Sequence, residues 1–341
     1  MEIIMPAAGL STRFPNMRPK YSLTDWTGRM MFERALEPYI GKYKITIGIL
    51  AEHDQRYSVS EYIRSEYHNQ IRVVILESQT RGPADTVRQI IAKSDINLDS
   101  EILIKDCDSF FNHDYQEGNY ICYSRIDQHE ILKRLSSKSF IITNDQGIVN
   151  SIVEKQVVSD KFCVGGYKFE SAKLFLSMYS RVAKTNIDEI FISHLIEESL
   201  LVKHVWKSAL VNDYVDVGTA DEWFAFNDKA VIFCDIDGTI VHAQPRTEYY
   251  HDPTPLQSNI KRLQQLASTG SHIIFTTARP HSVNKRTREM LTDLGFQNFD
   301  LIDGLPNTKR ILINDYNEAN PYPRAIAINL RRDSDNLGDF L

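Results

Sequence analysis

The stretch FCDIDGTIV, residues 233–241, reads as a short buried strand that runs into two carboxylates and a glycine turn. Acidic side chains at a strand end, followed by Gly238 and a hydroxyl, suit the handling of phosphate and metal. Such a turn usually opens a domain, yet here it begins two thirds of the way along a chain of 341 residues. The chain opens on a different glycine loop, PAAGLSTRF (6–14). The sequence therefore holds two candidate phosphate sites.

Strands and helices alternate around both loops. EIIMPAA, KITIGILA (44–51), IRVVILE (71–77) and EILIKDCD are apolar runs of strand length. ADTVRQIIAKS has helical spacing behind a Gly-Pro start. SFIITNDQGIVNSIVEK predicts a hairpin that turns at residues 144–147. After DVGTADEWFAFND the pattern restarts. AVIFCDIDGT is a strand, LQSNIKRLQQLAST a helix closed by Gly270, and SHIIFTTARP a strand. NKRTREMLTDLG is a helix, and RILINDY and RAIAINL are strands. Such alternation implies parallel, doubly wound sheets, here in two domains, 1–226 and 227–341.

The length allows two domains of ordinary size. Hydrophobic residues make up 42% and charged residues 25%, the balance of a soluble globular protein. A net charge of -6 argues against a surface for nucleic acid or anionic membrane. No apolar run approaches a membrane span, and MEIIMPAAG lacks the basic start of a signal peptide, so a cytoplasmic protein is expected. Cys107, Cys122, Cys163 and Cys234 are far apart with no CxxC pair, which fits reduced thiols.

In the first loop, Gly9 lets backbone N–H groups approach a phosphate, and Arg13 and Lys20 can neutralise it. Asp106-Cys107-Asp108 is also a DxD, with which glycosyltransferases hold a nucleotide sugar through metal; the Arg13/Lys20 loop argues against that alternative. The order of motifs over residues 1–226 resembles the sugar-phosphate nucleotidyltransferase family. That family's Gly-x-Gly-x-Arg loop and downstream Pro-Lys are matched by Ala8, Gly9, Ser11, Thr12, Arg13 and Lys20, with Ser11 where the second glycine is usual. RGPADTV (81–87), with Gln79, Gly82 and Ala84, resembles the nucleotide-binding stretch. KDCDSFF resembles the strand end giving the first metal carboxylate, Asp108, and VDVGT the second, Asp216. IVEK resembles the acceptor-binding pair Glu154 and Lys155, and VGGYKF, with Gly166, the strand under the acceptor.

The resemblance implies that an acceptor phosphate oxygen attacks the α-phosphate of a nucleoside triphosphate and pyrophosphate leaves. Mg²⁺ would lie between Asp108 and Asp216, with Arg13 and Lys20 on the transferring and leaving groups and Lys155 on the acceptor phosphate. Short chains of this layout resemble phosphocholine-type cytidylyltransferases, which favours cytidine over uridine and guanosine. A hexose, a heptose, a polyol or an amino alcohol would all serve as the acceptor.

DIDGT resembles motif one of the haloacid dehalogenase (HAD) superfamily. The resemblance makes Asp235 the nucleophile that forms a phosphoaspartate, and Asp237 the general acid and then base. FTTARP resembles motif two, with Thr277 as its hydroxyl and Thr276 as the alternative. TKRILINDY resembles motifs three and four, with Lys309 as the cation and Asp315 as a metal carboxylate. A second Mg²⁺ would sit between Asp235, the Asp237 backbone carbonyl and Asp315. Many members carry two acids at motif four, whereas this chain has Asn314-Asp315. About thirty residues separate motifs one and two, too few for a cap domain, so HAQPRTEYYHDPTP forms a small flap at most.

The expected fold is thus α/β with two domains: a Rossmann-like nucleotidyltransferase sheet, then a smaller Rossmann-like HAD domain without a large cap. The expected function is bifunctional, in the synthesis of a nucleotide-activated sugar or polyol. Its partners would be a nucleoside triphosphate and a small phosphorylated substrate, with neither nucleic acid nor membrane, and a homo-oligomer stays open. By analogy, such fusions suit bacterial capsule or surface-polysaccharide pathways. Two alternatives stand beside this reading: a catalytically silent HAD-like domain serving assembly or regulation, and a glycosyltransferase joined to a phosphatase.

Overall fold

The computed structural model describes residues 1–126, 135–314 and 325–341. They divide into two compact units, Met1–Ala225 and Phe226–Leu341. Strands of the first unit are β1 (Glu2–Pro6), β2 (Lys44–Leu50), β3 (Ile71–Leu76), β4 (Ile102–Lys105), β5 (Ser109–Asn112), β6 (Asn119–Arg125), β7 (Phe140–Thr143), β8 (Val149–Val153), β9 (Lys161–Phe169), β10 (Trp206–Leu210) and β11 (Asn212–Asp216). Helices α1 (Met31–Leu36), α2 (Ala51–Tyr57), α3 (Val59–Tyr67), α4 (Pro83–Lys93), α5 (Ala172–Val182), α6 (Ile192–Leu201) and α7 (Ala220–Phe226) follow the same order.

The main sheet runs β10-β6-β9-β4-β1-β2-β3, with β7 paired to β8 and β9. β1 lies parallel to both β2 and β4, and β2 to β3. Ile3, Ile4 and Met5 are fully buried, as a strand covered on both faces requires. β9 departs from the parallel pattern and runs antiparallel to β4 and β6. β7 pairs antiparallel with both β8 and β9, so the hairpin joins the sheet beside β9. The hairpin turns where the sequence places it: Asn144 Oδ1 accepts the N–H groups of Gln146 and Ile148 at 3.0 and 2.9 Å, and Gly147 has φ +76.

Two pairings position the site. Parallel β1 and β4 bring the loops at their carboxyl ends side by side. β5 pairs antiparallel with β11, with Ser109 opposite Asp216, and the Val217 N–H bonds the Asp108 carbonyl at 3.0 Å. Pro83 opens α4 behind Gly82, and Val87, Ile90 and Ile91 bury its apolar face in the main core.

The second unit holds β12 (Val231–Asp235), α8 (Gln257–Ser268), β13 (His272–Thr276), α9 (Asn284–Asp293) and β14 (Phe299–Ile302). Its sheet is parallel in the order β12-β13-β14. Ile236, Ile260, Leu263, Phe275 and Leu291 form its core. The sequence predicts two further strands, RILINDY and RAIAINL. Residues 310–314 and 325–330 form no strand, and the remainder of both runs lies outside the described residues. Ile313 is 89% exposed and Phe233, on β12, is 53% exposed, so neither is the buried strand residue expected. The physical reason is the same for both. β12 is an edge of the described sheet, and an apolar run is buried on two faces only where neighbours cover it. Residues 242–255 make a short loop with one 3-10 turn at Arg246–Glu248. All four cysteines are free and buried.

Gly82 has φ +102, and a Cβ there would stand 2.9 Å from both Glu189 Cγ and the Ile190 carbonyl oxygen. Gly41 has φ +77 in open space. Gly82→Ala should therefore cost about 2 kcal/mol, and Gly41→Ala only the left-handed penalty of about 1 kcal/mol. Denaturant midpoints at unchanged slope measure both; equal shifts would refute the packing constraint at Gly82.

Candidate active sites

A cavity of about 850 Å³ opens where the loops after β1 and β4 meet, a size suited to a nucleotide-sized ligand. Ala8, Gly9, Ser11, Thr12 and Arg13 line it, as do Lys20, Gln79 and Gly82. Ser11 stands at φ +54, the left-handed region that glycine favours. That conformation costs about 1 kcal/mol. It is held by two bonds: the Ser11 hydroxyl accepts the Lys20 N–H at 2.9 Å, and its carbonyl accepts the Phe14 N–H at 2.8 Å. The serine thus keeps the glycine geometry and fixes the lysine.

Lys20 Nζ lies 2.6 Å from Asp108 Oδ2, and Arg13 Nη2 lies 3.7 Å from the same oxygen. Burial would raise the Asp108 carboxyl, but Lys20 and then Arg13 hold it well below the usual range. Asp106 packs instead against Gly165, and burial together with the charge of Asp108 pushes it up to about 6. Lys105 is fully buried and shapes this turn. Its ammonium donates to the carbonyls of Asp106 and Ser109 at 2.8 and 2.5 Å and to Ser109 Oγ at 2.9 Å.

The β5–β11 pairing brings Asp216 to the same wall, where it pairs with Lys138. A Cβ at Gly218 would stand 3.2 Å from both Asp108 Oδ2 and Asp216 Oδ1. The missing side chain leaves open the space that the two carboxylates face. Two carboxylates on one small space fit a hard divalent cation that takes its other ligands from phosphate and water. Among the described residues, no group of three or more His, Cys, Asp or Glu could hold a metal by itself.

Glu154 also lines the cavity and accepts hydrogen bonds from Ser139 Oγ and, at 2.5 Å, from Ser193 Oγ. Lys155 has φ +56, and its ammonium lies 4.2 Å from the Phe191 ring centroid. Gly165 lines the cavity, whereas Gly166 packs behind it, where a Cβ would stand 2.8 Å from Cys122 Sγ. Ala84 is likewise fully buried in the core and does not line the cavity. Lys138, Ser139, Ser193, Asp188 and Glu189 reach the cavity without belonging to any sequence motif. The hairpin and the approach to α6 deliver them, and no local spacing marks them.

In the second unit Asp235 ends β12 opposite Thr276 of β13. Although Asp235 is exposed, the protein packed about it and the charge of Asp237 hold its carboxyl above the usual range, against the pull of Arg310. Arg279 grips Asp237 with a fork, Nε to Oδ2 at 2.9 Å and Nη2 to Oδ1 at 2.7 Å. The Arg279 side chain is 2% exposed, and its guanidinium lies 4.9 Å from the Tyr249 ring centroid. Thr277 Oγ1 reaches Asp237 Oδ2 at 3.4 Å and accepts the Arg279 N–H at 3.0 Å. Lys309 is exposed, and its neighbour Arg310 is the cation that acts on Asp235. Asp315 lies outside the described residues. Arg279 stands inside the TTARP motif, yet sequence alone assigns it no role.

Arg279→Met should leave Asp237 without its shielded partner and cost about 3 kcal/mol. Adding Asp237→Asn should recover at least roughly 1 kcal/mol of that loss. Denaturant unfolding of the two single variants and the double variant measures the coupling, and strictly additive losses would exclude the fork.

Residues 232–299 match the haloacid dehalogenase-like hydrolase family. No curated protein matches the chain significantly. Among solved structures, a nucleoside-diphosphate-sugar pyrophosphorylase from Vibrio cholerae RC9 is 21% identical with a TM-score of 0.58, over 67% of this chain and 100% of that one. An inositol-1-phosphate CTP transferase from T. maritima is 12% identical with a TM-score of 0.52, over 65% of this chain and 90% of that one. No helix among the described residues is long and apolar enough to cross a membrane. The N-terminal two thirds thus carry a nucleotidyltransferase-like fold, and the C-terminal part is haloacid dehalogenase-like over the matched residues.

Proposed function

We propose that the chain is a bifunctional enzyme that transfers a nucleoside monophosphate to a phosphorylated small molecule and hydrolyses a phosphomonoester. One observation carries the first activity: two carboxylates face the space left by Gly218, beside a loop that brings Arg13 and Lys20 to the same acid. An acceptor phosphate oxygen forms a bond to the α-phosphorus as the bond to pyrophosphate breaks. Both reactants are anions, so their repulsion dominates the barrier. Arg13 and Lys20 take up charge on the transferring and leaving groups. Asp108 and Asp216 would hold Mg²⁺, which supplies charge neutralisation between the reactants when bound. Lys155 pairs with the acceptor phosphate, and Glu154, fixed by two serine hydroxyls, accepts from acceptor hydroxyl or amino groups. CTP is the first nucleotide to try, as in the inositol-1-phosphate CTP transferase of like fold.

The second activity rests on Asp235 and Asp237 at the strand end of a haloacid dehalogenase-like segment. Asp235 attacks phosphorus and the leaving oxygen takes a proton from Asp237. Asp237 then accepts a proton from the water that cleaves the phosphoaspartate. Arg279 fixes the plane of the Asp237 carboxylate, and the Thr277 hydroxyl donates to the phosphoryl oxygens. Asp235 and the Asp237 carbonyl would hold the Mg²⁺ of this site, together with Asp315.

With each nucleoside triphosphate and a panel of sugar, polyol and amino-alcohol phosphates, pyrophosphate release should require both aspartates of the first site. Asp108→Ala and Asp216→Ala should each lower it roughly a hundredfold or more. Near-normal release from Asp216→Ala would sink the assignment, and sugar transfer without pyrophosphate would favour a glycosyltransferase.

Asp235→Asn should abolish phosphate release from a model phosphomonoester and leave pyrophosphate release intact. Wild-type protein that releases no phosphate from a broad phosphomonoester panel would instead indicate a silent second domain.

A further inference from the structure

Lys138 belongs to no motif, yet it reaches the transfer cavity just before β7. Its ammonium pairs with Asp216 Oδ2 and donates to the Tyr214 hydroxyl at 3.2 Å. The Lys138 side chain is 20% exposed and that of Asp216 is 11% exposed, so solvent and salt screen the pair only weakly. The backbone is fixed as well, because the Lys138 carbonyl accepts the Lys155 N–H at 3.1 Å. Lys20 stands to Asp108 as Lys138 stands to Asp216. Each carboxylate at the Gly218 space therefore has its own lysine.

A shielded carboxylate needs a counter-charge. An ammonium that supplies it at Oδ2 also weakens, by its charge, the hold of the same carboxylate on a cation in the Gly218 space that Oδ1 faces. We propose that Lys138 is a resident counter-ion of Asp216. It competes with a divalent cation for that carboxylate and, once displaced, pairs with phosphate oxygens of the bound nucleotide. The proposal rests on the assignment of Asp216 as a metal carboxylate. Lysine suits such an exchange, being a compact charge on a flexible stem, whereas arginine would hold the carboxylate with a rigid fork. The consequence is coupling. Metal alone meets a carboxylate already satisfied, while metal with nucleotide offers the displaced ammonium a new partner, so each should strengthen the binding of the other.

The test is titration of the nucleotide-free full chain with Mn²⁺, read by electron paramagnetic resonance of the free ion. Lys138→Met keeps the side-chain length and drops the charge. It should bind Mn²⁺ roughly tenfold more tightly than wild type, while pyrophosphate release at saturating Mn²⁺ falls at least roughly tenfold. A purely structural lysine would not give tighter metal binding together with slower transfer. Lys138→Arg should keep the weak Mn²⁺ binding of wild type. Lys138→Gln, read by the same criterion, serves if the methionine variant fails to fold by circular dichroism. Neutral variants that bind Mn²⁺ no more tightly than wild type, while Asp216→Ala abolishes binding, would overturn the counter-ion role and leave the metal assignment standing. Unchanged Mn²⁺ affinity in Asp216→Ala would overturn both.

Discussion

The parallel pairing of β1 with β4 is the constraint on which the first site depends. It sets the Arg13/Lys20 loop beside the turn that carries Asp108, and no side chain in either loop could make that approach alone. The β5–β11 pairing then adds Asp216 from a part of the chain more than a hundred residues away. What results is a concentration of charge. The cavity wall carries Arg13, Lys20, Arg81, Lys138 and Lys155 against six carboxylates. With acids in the majority, a triphosphate is not drawn in by the protein's charge alone. On the proposed reaction it would arrive with cations of its own, which is the electrostatic reason for expecting metal in this chemistry.

Strand-end motifs were legible in the sequence because their chemistry is local. Asp108, Asp235 and Asp237 each sit at or just past the end of a strand, and a short window holds both the strand and the acid. Ser11 is instructive because it breaks the glycine pattern and still takes the glycine conformation, held by bonds to Lys20 and Phe14 that no pattern displays. Small residues were harder. Gly165 and Gly166 are neighbours on β9 with opposite facings, and only the register of the sheet shows that Gly165 meets the cavity while Gly166 meets Cys122. Lys138 was invisible for a stronger reason: its partner Asp216 is distant in sequence, and nothing near Lys138 marks it as other than a surface lysine.

The second unit shows where apolar runs mislead. RILINDY and FCDIDG look alike as strands, since both are short and run from apolar residues into acid. Such a window records the capacity to pair but not the presence of a partner. β12 finds β13 on one side, with Asp235 opposite Thr276, and that register sets Asp237 within reach of Thr277 and Arg279 on the chain that continues past β13. Residues 310–314 form no strand, and the side chains of Ile311, Leu312 and Ile313 stay exposed.

The two sites neutralise their acids in different ways, and the difference fits the chemistry we propose for each. At the first site the acids that face Gly218 are paired to lysines, single point charges on flexible stems. In the second unit Asp237 is gripped at both oxygens by Arg279, itself packed against Met290 and Tyr249. A fork fixes the plane of the carboxylate, which a single ammonium does not. A metal carboxylate must instead change partners in every cycle. Replacing the lysine at Asp216 by arginine would therefore be no conservative change, because it would import into the first site the rigid grip that holds Asp237.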